Sequence, residues 1–272
     1  MNEPTVTIDR YGVMGYPVSH SRSPVIHRLF ALQTGQDMQY ELLQVTPEKL
    51  ETAVRQFQRT GGRGLNITVP HKEAAYKACD EIRGFAAKVG VVNTIVNENG
   101  RLIGYNTDAD GFIYAIKPFG TIRSVLVLGA GGTSKALSTR FKEEAMEVTV
   151  LNRSAGRLEA FKAHGFHTAT WESIEIKPYD LIVNTTSAGL EDDSLPAPLE
   201  IIKPLLQKAS FSADAIYGKE TPFLKLSKEL GITSKDGADM LLGQGVLAND
   251  YFTEGLYELE AIEEYMKESF LF

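Results

Sequence analysis

The 272-residue chain has one cysteine, Cys79, which excludes an internal disulfide and fits a reducing, cytoplasmic setting. It has no basic block, and its net charge is −7. Nucleic acid demands clustered Lys and Arg to neutralise phosphates, so no nucleic-acid partner is expected. No apolar run approaches the roughly 20 residues that span a bilayer, so no membrane partner is expected either. Met1 to Arg10 mixes Asn, Glu, Thr and Asp without an apolar core, unlike a signal peptide. There is no internal repeat and no low-complexity tract. The 43% apolar fraction is ordinary for a globular protein, and the length suffices for one large or two modest domains with a real core. A small anionic substrate stays compatible with the negative charge, because a few local cations can hold it.

The middle of the chain carries the clearest pattern. Ser124 to Leu128 is an apolar run ending in Gly129-Ala130-Gly131-Gly132. A helical stretch follows over Thr133 to Glu144, with Ala136, Leu137 and Phe141 on one face, and then a β-branched run over Glu147 to Leu151. Strand, glycine turn, helix and strand open a βαβ unit with a parallel sheet. Asp180 to Val183, Ala213 to Tyr217 and Thr233 to Asp236 read as later strands or strand ends. Earlier, Arg10 to Met14, Tyr40 to Val45, Leu65 to Val69 and Val91 to Asn97 read as strands. Helices are expected over Pro24 to Leu32, with Ser23 as N-cap, over Pro47 to Arg59, closed by Gly61-Gly62, and from Glu73 to Cys79. The tail from Ala238 on is helical in pattern.

The expected fold is therefore α/β. It has two α/β domains, a Rossmann-like domain over 109–237 and a second domain over 1–108 plus 238–272, with a cleft between them.

In the glycine turn, Gly129 permits the tight bend. Gly131 lets backbone N–H groups approach a pyrophosphate, and the helix N-terminus adds partial positive charge. Ser134 replaces the usual third glycine and is small enough for close helix–strand packing. An NAD site usually places Asp or Glu about 20 residues on, against the ribose hydroxyl. Here the second strand ends in Asn152-Arg153-Ser154, with Arg157 after it. Arginine attracts a 2′-phosphate that a carboxylate would repel, so the expected cofactor is NADP. The alternative is a solvated loop with two arginines.

Four polar stretches lie outside this unit: Gly15 to Pro24, Asn66 to Lys72, Val92-Asn93-Thr94 and Gly104 to Gly111, the last read as a turn with two carboxylates. Asn66 and Thr68 alternate with Ile67 and Val69, so their side chains share one face of a strand. Lys72 stands near a helix start, the end that prefers anions, which hints at function. Hydroxyls, amides, a Lys and an Asp suit a polyhydroxy acid, since they supply both donors and acceptors.

Together these stretches resemble the shikimate dehydrogenase family: G-x-P-x-x-H-S-x-S-P, N-I-T-V-P-x-K, V-N-T, N-T-D-x-x-G, G-A-G-G-x-S, N-R-S, T-P-F-L and G-x-x-M-L-x-x-Q, in that order from Gly15 to Gln244. The resemblance implies reversible NADPH-dependent reduction of 3-dehydroshikimate to shikimate, with Lys72 and Asp108 as the catalytic pair. It implies that Ser21 and Ser23 hold the substrate carboxylate, and that Asn66, Thr68, Asn93, Tyr217 and Gln244 serve the rest of the substrate. It assigns the cofactor to Gly129, Ala130, Gly131, Gly132, Thr133, Asn152, Arg153, Ser154, Arg157, Thr185, Gly237 and Met240. The sequence departs from the family where Asp214 to Pro222 lacks an Asn-Pro after Tyr217, where Gln244 sits between Gly243 and Gly245, and at Tyr16. A quinate/shikimate dehydrogenase paralogue with relaxed cofactor use, or a catalytically silent NADP(H)-binding regulator, is the alternative.

Other residues read as structural. His164 and His167 lack a third ligand, so no metal is expected. His20 and His71 flank expected site residues as supporting or surface groups. Cys79 and Trp171 read as packing residues, and the oligomer as a monomer or homodimer.

Overall fold

A computed structural model describes residues 8–270. Most of the stretch compared above with a signal peptide, residues 1–7, lies outside the described residues. Among those residues, no helix is long and apolar enough to cross a membrane. The chain divides into two compact units, one holding the residues up to Gly111 and from Leu242 on, the other Phe112–Leu241.

The first unit contains β1 (Asp9–Gly15), α1 (Ser23–Thr34), β2 (Met38–Gln44), α2 (Leu50–Arg59), β3 (Gly62–Ile67), α3 (Lys72–Ala78), β4 (Glu81–Ile82), α4 (Phe85–Val89), β5 (Thr94–Glu98) and β6 (Arg101–Tyr105). Its sheet has the order β2-β1-β3-β5-β6-β4. The strands β2, β1 and β3 pair in parallel, whereas β5 runs antiparallel to both β3 and β6. Central strand β1 buries Tyr11, Val13 and Met14, as a strand covered on both faces must. One cluster packs Met14, Val54, Phe57, Leu65, Ile67 and Ile95; another packs Tyr11, Val13, Tyr40, Ile103 and Phe252.

The helix α5 (Asp108–Ile116) leads out of this unit. In the second unit follow β7 (Ser124–Leu128), α6 (Gly132–Glu143), β8 (Glu147–Leu151), α7 (Glu159–Ala163), β9 (His167–Ala169), β10 (Tyr179–Asn184), α8 (Leu199–Leu206), β11 (Ala209–Asp214), α9 (Pro222–Glu229) and β12 (Thr233–Lys235). All five pairings in the order β12-β11-β10-β7-β8-β9 are parallel. Counted from β7, this is the 3-2-1-4-5-6 order of a dinucleotide-binding sheet, whose switch point lies at the first βα turn. The near-continuous apolar runs of β7 and β10 follow from burial under helices on both faces: Val125, Val127, Leu181 and Val183 pack on one side, Leu126, Leu128 and Ile182 on the other. The chain ends in α10 (Ala238–Phe252) and α11 (Leu259–Lys267).

Some elements depart from the sequence reading. Ser23 is the first residue of α1 rather than its N-cap; Arg22 takes the cap position in helical geometry (φ −89°, ψ −1°), without a side-chain cap. The Val25 and Ile26 amides bond the Arg22 carbonyl, so the turn starts one residue early. The strand expected over Ala213 to Tyr217 ends at Asp214, because its pairing with β10 stops there. The stretch from Gly104 to Gly111, read as a turn, contains the end of β6 and the start of α5.

Candidate active site

Strand β5 lies between β3 and β6 and opposes both. Those two strands therefore run in the same direction, two strand spacings of ~4.8 Å apart. Beyond β3 the chain enters α3, whose first residue is Lys72; beyond β6 it enters α5, whose first residue is Asp108. Asn93, just before β5, is fixed at the same edge: its carbonyl accepts from the Ile67 amide (2.7 Å) and its amide donates to the Tyr105 carbonyl (3.1 Å). Sheet topology thus brings Lys72, Asn93 and Asp108 together despite their separation in sequence.

Lys72 Nζ donates to Asp108 Oδ2 at 2.6 Å. The two residues are 9% and 5% exposed, so water screens the pair little. Asp108 sits in the first turn of α5, where a carboxylate meets the positive end of the helix dipole. Lys72 occupies the unfavourable end of α3, and Asp108 offsets that. Asn93 Nδ2 donates to Asp108 Oδ1 and to Thr107 Oγ1, both at 2.9 Å. Asn93 Oδ1 accepts from the Thr107 amide at 2.8 Å and from Thr94 Oγ1 at 3.2 Å. Both donors and both acceptors of the Asn93 amide are thereby committed inside the protein. It holds Asp108, and touching a ligand requires it to share one of these bonds.

Asn66, buried on β3, donates from Nδ2 to Thr94 Oγ1 (3.3 Å) and accepts at Oδ1 from the Tyr40 hydroxyl (2.6 Å). Thr68 lies half-buried just past β3, its amide bonded to the Met14 carbonyl. A Cβ on Gly15 would stand 2.4 Å from Thr68 Cγ2, so any larger residue there would push Thr68 aside. The Ser21 hydroxyl, half-buried, donates to Ser23 Oγ at 3.2 Å, and Ser23 is buried. Gln244 is buried on α10. His71 Nε2 meets the Val45 carbonyl at 2.7 Å and ties the start of α3 to the end of β2, whereas His20 is exposed.

In the second unit the turn after β7 has the expected glycine geometry. Gly129 has φ +106°, and a Cβ there would lie 2.9 Å from Thr186 Cγ2. Helix α6 starts at Gly132 with no side-chain cap and no acid in its first turn, leaving its N-terminal dipole uncontested by a carboxylate. Ser134 is buried, and its hydroxyl donates to the Gly129 carbonyl at 2.7 Å. The serine in the third glycine's place thus laces helix to turn as well as fitting. Thr185 Oγ1 donates to the Leu128 carbonyl at 2.7 Å. Asn152 Nδ2 bonds the Ser154 carbonyl at 2.9 Å, shaping the loop that exposes Arg153 and Arg157. This cradle and its cations fit a dinucleotide phosphate. Met240 is buried in the core of this unit, and Tyr217 is half-buried beyond β11. A Cβ on Gly237 would lie 2.4 Å from the Ala215 carbonyl oxygen.

Residues 13–95 match the shikimate dehydrogenase substrate binding domain. The chain is 36% identical to a shikimate dehydrogenase (NADP(+)) of Helicobacter hepaticus over 267 residues, 95% of this chain and 98% of the relative. The chain belongs to the shikimate dehydrogenase family. Another shikimate dehydrogenase (NADP(+)), from Alkalilimnicola ehrlichii, is 40% identical over 87% of this chain and 90% of its own. Among shikimate dehydrogenases of known structure, that of Thermus thermophilus, crystallised with NADP(H) and shikimate, superposes with a TM-score of 0.82. It is 32% identical, covering 96% of this chain and 99% of its own. The shikimate dehydrogenase of Aquifex aeolicus gives the same TM-score at 33% identity, covering 98% of this chain and all (100%) of its own.

The sequence reading missed three members of the polar cluster. Thr94 and Thr107 stood inside the V-N-T and N-T-D stretches, where threonine following asparagine was the available signal. Tyr40 carried none: it looked like one more aromatic in a strand.

Proposed function

We propose that the chain catalyses the reversible NADPH-dependent reduction of 3-dehydroshikimate to shikimate, in aromatic amino-acid (chorismate) biosynthesis in the cytoplasm, as a monomer or homodimer. The observation that carries this reading is the buried Lys72–Asp108 pair, held by Asn93 and ringed by amides and hydroxyls, in a chain of this family. Residues 1–108 with 238–272 form the substrate-binding domain, and 109–237 the NADP-binding domain.

Ser21 and Ser23 hold the substrate carboxylate, and Asn66, Thr68, Asn93, Tyr217 and Gln244 contact the rest of the substrate. Gly129 to Thr133 cradle the pyrophosphate. Asn152, Arg153, Ser154 and Arg157 hold the 2′-phosphate, and Thr185, Gly237 and Met240 complete the cofactor site. When bound, NADPH supplies the hydride that reaches the carbonyl carbon. Lys72 donates a proton from Nζ to the oxygen as alkoxide charge develops, and takes it back in the reverse reaction. Asp108 keeps the ammonium aimed, and Asn93 keeps Asp108 in place.

The test is NADPH oxidation with 3-dehydroshikimate, and NADP reduction with shikimate and with quinate. Lys72→Ala lowers turnover about 10²–10⁴-fold, the share of a general acid, with near-normal substrate affinity. Near-normal turnover in that variant would refute the assignment.

A further inference from the structure

Tyr40 stands on edge strand β2, fully buried, and no substrate role has been given to it. Its hydroxyl hydrogen is committed to Asn66 Oδ1 at 2.6 Å, a short bond between two buried groups. From there the donors run one way. Asn66 Nδ2 donates to Thr94 Oγ1 (3.3 Å), Thr94 Oγ1 to Asn93 Oδ1 (3.2 Å), and Asn93 Nδ2 to Asp108 Oδ1 (2.9 Å). An amide has one acceptor end and one donor end; the Thr107 amide, which only donates, and the Asp108 carboxylate fix Asn93, so Thr94 gives its proton to Asn93 and turns a lone pair to Asn66. With Asn66 Nδ2 turned to Thr94, its Oδ1 faces Tyr40, and the phenol hydrogen pins it there. In the flipped form the Thr94 hydroxyl would turn to donate to Asn66, and Asn93 Oδ1 would lose a donor.

The ring of Tyr40 is itself clamped. His27 on α1 lies parallel to it, with centroids 4.6 Å apart and planes 5° apart. His27 is wholly buried, with Nδ1 at 3.4 Å from Asn249 Oδ1 on α10. Burial pushes its pKa down to about 4, so the stacked imidazole stays neutral. The Tyr40 carbonyl is also held, by Arg28 Nη2 at 2.7 Å. A tyrosine fixed at ring and backbone has a hydroxyl in one place, which is what orienting an amide needs.

We infer that Tyr40 is a positioning residue for substrate: acting through Asn66, it keeps the second N–H of that amide turned toward a ring hydroxyl of the substrate. This rests on the function proposed above.

Tyr40→Phe tests it, since the ring, the stack and the volume are kept and only the hydroxyl goes. The KM for shikimate rises about tenfold, the scale of one lost buried hydrogen bond, while kcat and the KM for NADP stay within about twofold. Thr94→Val, which removes the other partner of the Asn66 amide, raises the same KM. The double variant is no worse than about the poorer single one, because both leave one amide unfixed. An unchanged KM for shikimate in Tyr40→Phe overturns the inference. So does a parallel rise in both KM values with a lowered unfolding midpoint, the mark of a general packing defect. The pairing is read separately, without substrate, from exchange of the Asn66 side-chain amide protons by NMR: slow in the parent protein, fast in Tyr40→Phe. Slow exchange in both overturns the pairing, whereas a parent protein that does not turn over shikimate overturns the functional reading alone.

Discussion

Replacing Asp214 by Asn would remove a buried charge whose effect on stability has a definite sign. Asp214 ends β11 fully buried, and its carboxylate accepts from Asn184 Nδ2 (3.1 Å), the Ile216 amide (3.0 Å) and Thr221 Oγ1 (2.7 Å). Burial outweighs these bonds and pushes its pKa up from 3.8 to about 6. Below the unfolded value both states are protonated and no penalty applies. Between the two values the folded state holds the extra proton, so stability falls as pH rises. Above about 6 the penalty is complete, at about 3 kcal/mol from ~1.36 kcal/mol per unit. Asn keeps an acceptor for Asn184 and Ile216 but turns a donor toward Thr221, a loss of about 1 kcal/mol independent of pH. The stability of Asp214→Asn relative to the parent should therefore improve by about 2 kcal/mol from about pH 4 to about pH 7. Urea unfolding followed by Trp171 fluorescence measures it, because the sole tryptophan packs in the same unit, against the cluster holding Leu205 and Phe223. A difference between the two proteins that does not change with pH would refute the reasoning.

Three further outcomes are expected. Removing both cations in Arg153→Ala/Arg157→Ala raises the KM for NADP about tenfold to a hundredfold and leaves that for NAD nearly unchanged, which steady-state kinetics with each cofactor decides. Ser134→Ala, by deleting the 2.7 Å bond to the Gly129 carbonyl, costs about 1–2 kcal/mol in urea unfolding and weakens NADP binding without altering shikimate affinity. Cys79 has its thiol pushed up to about 12 by burial, so a thiol-specific disulfide reagent at mildly alkaline pH labels the native protein slowly and the denatured protein fast.

The second unit was easier to read from sequence than the first. The limits of β7 and β8 match the expected runs residue for residue, because a parallel strand buried on both faces is written as continuous β-branched and aliphatic residues. Other elements were hidden by polar residues that serve the cluster. The start of α5 reads Asp108-Ala109-Asp110-Gly111, and it forms a helix because Asp108 favours the N-terminus while Ala109 and Phe112 are buried. Helix α8 contains Pro204, which masked it. Lys72 and Asp108 each showed as an oddly placed charge, but nothing local tells that they touch. Their contact comes from two antiparallel pairings through β5, which are long-range and absent from any window of sequence. The bond from Tyr40 to Asn66 is of the same kind, joining residues 26 apart in the chain.

The first unit is assembled from both ends of the described chain, and this bears on the order in which the protein can fold as it is made. The ring of Tyr11 packs against Phe252 at 4.9 Å, and the Tyr11 hydroxyl donates to the Phe252 carbonyl, 241 positions away. His27 likewise waits for Asn249 on α10. The second unit draws on one continuous stretch, Phe112–Leu241, and has no such wait. At a synthesis rate of about 5–20 residues per second, the strands that lead to Lys72 and Asp108 emerge many seconds before the helix that covers Tyr11 and Tyr40. Until then that apolar face is open, and the nascent chain meets its greatest exposure to misassociation with the half that holds Lys72 and Asp108 present but uncovered.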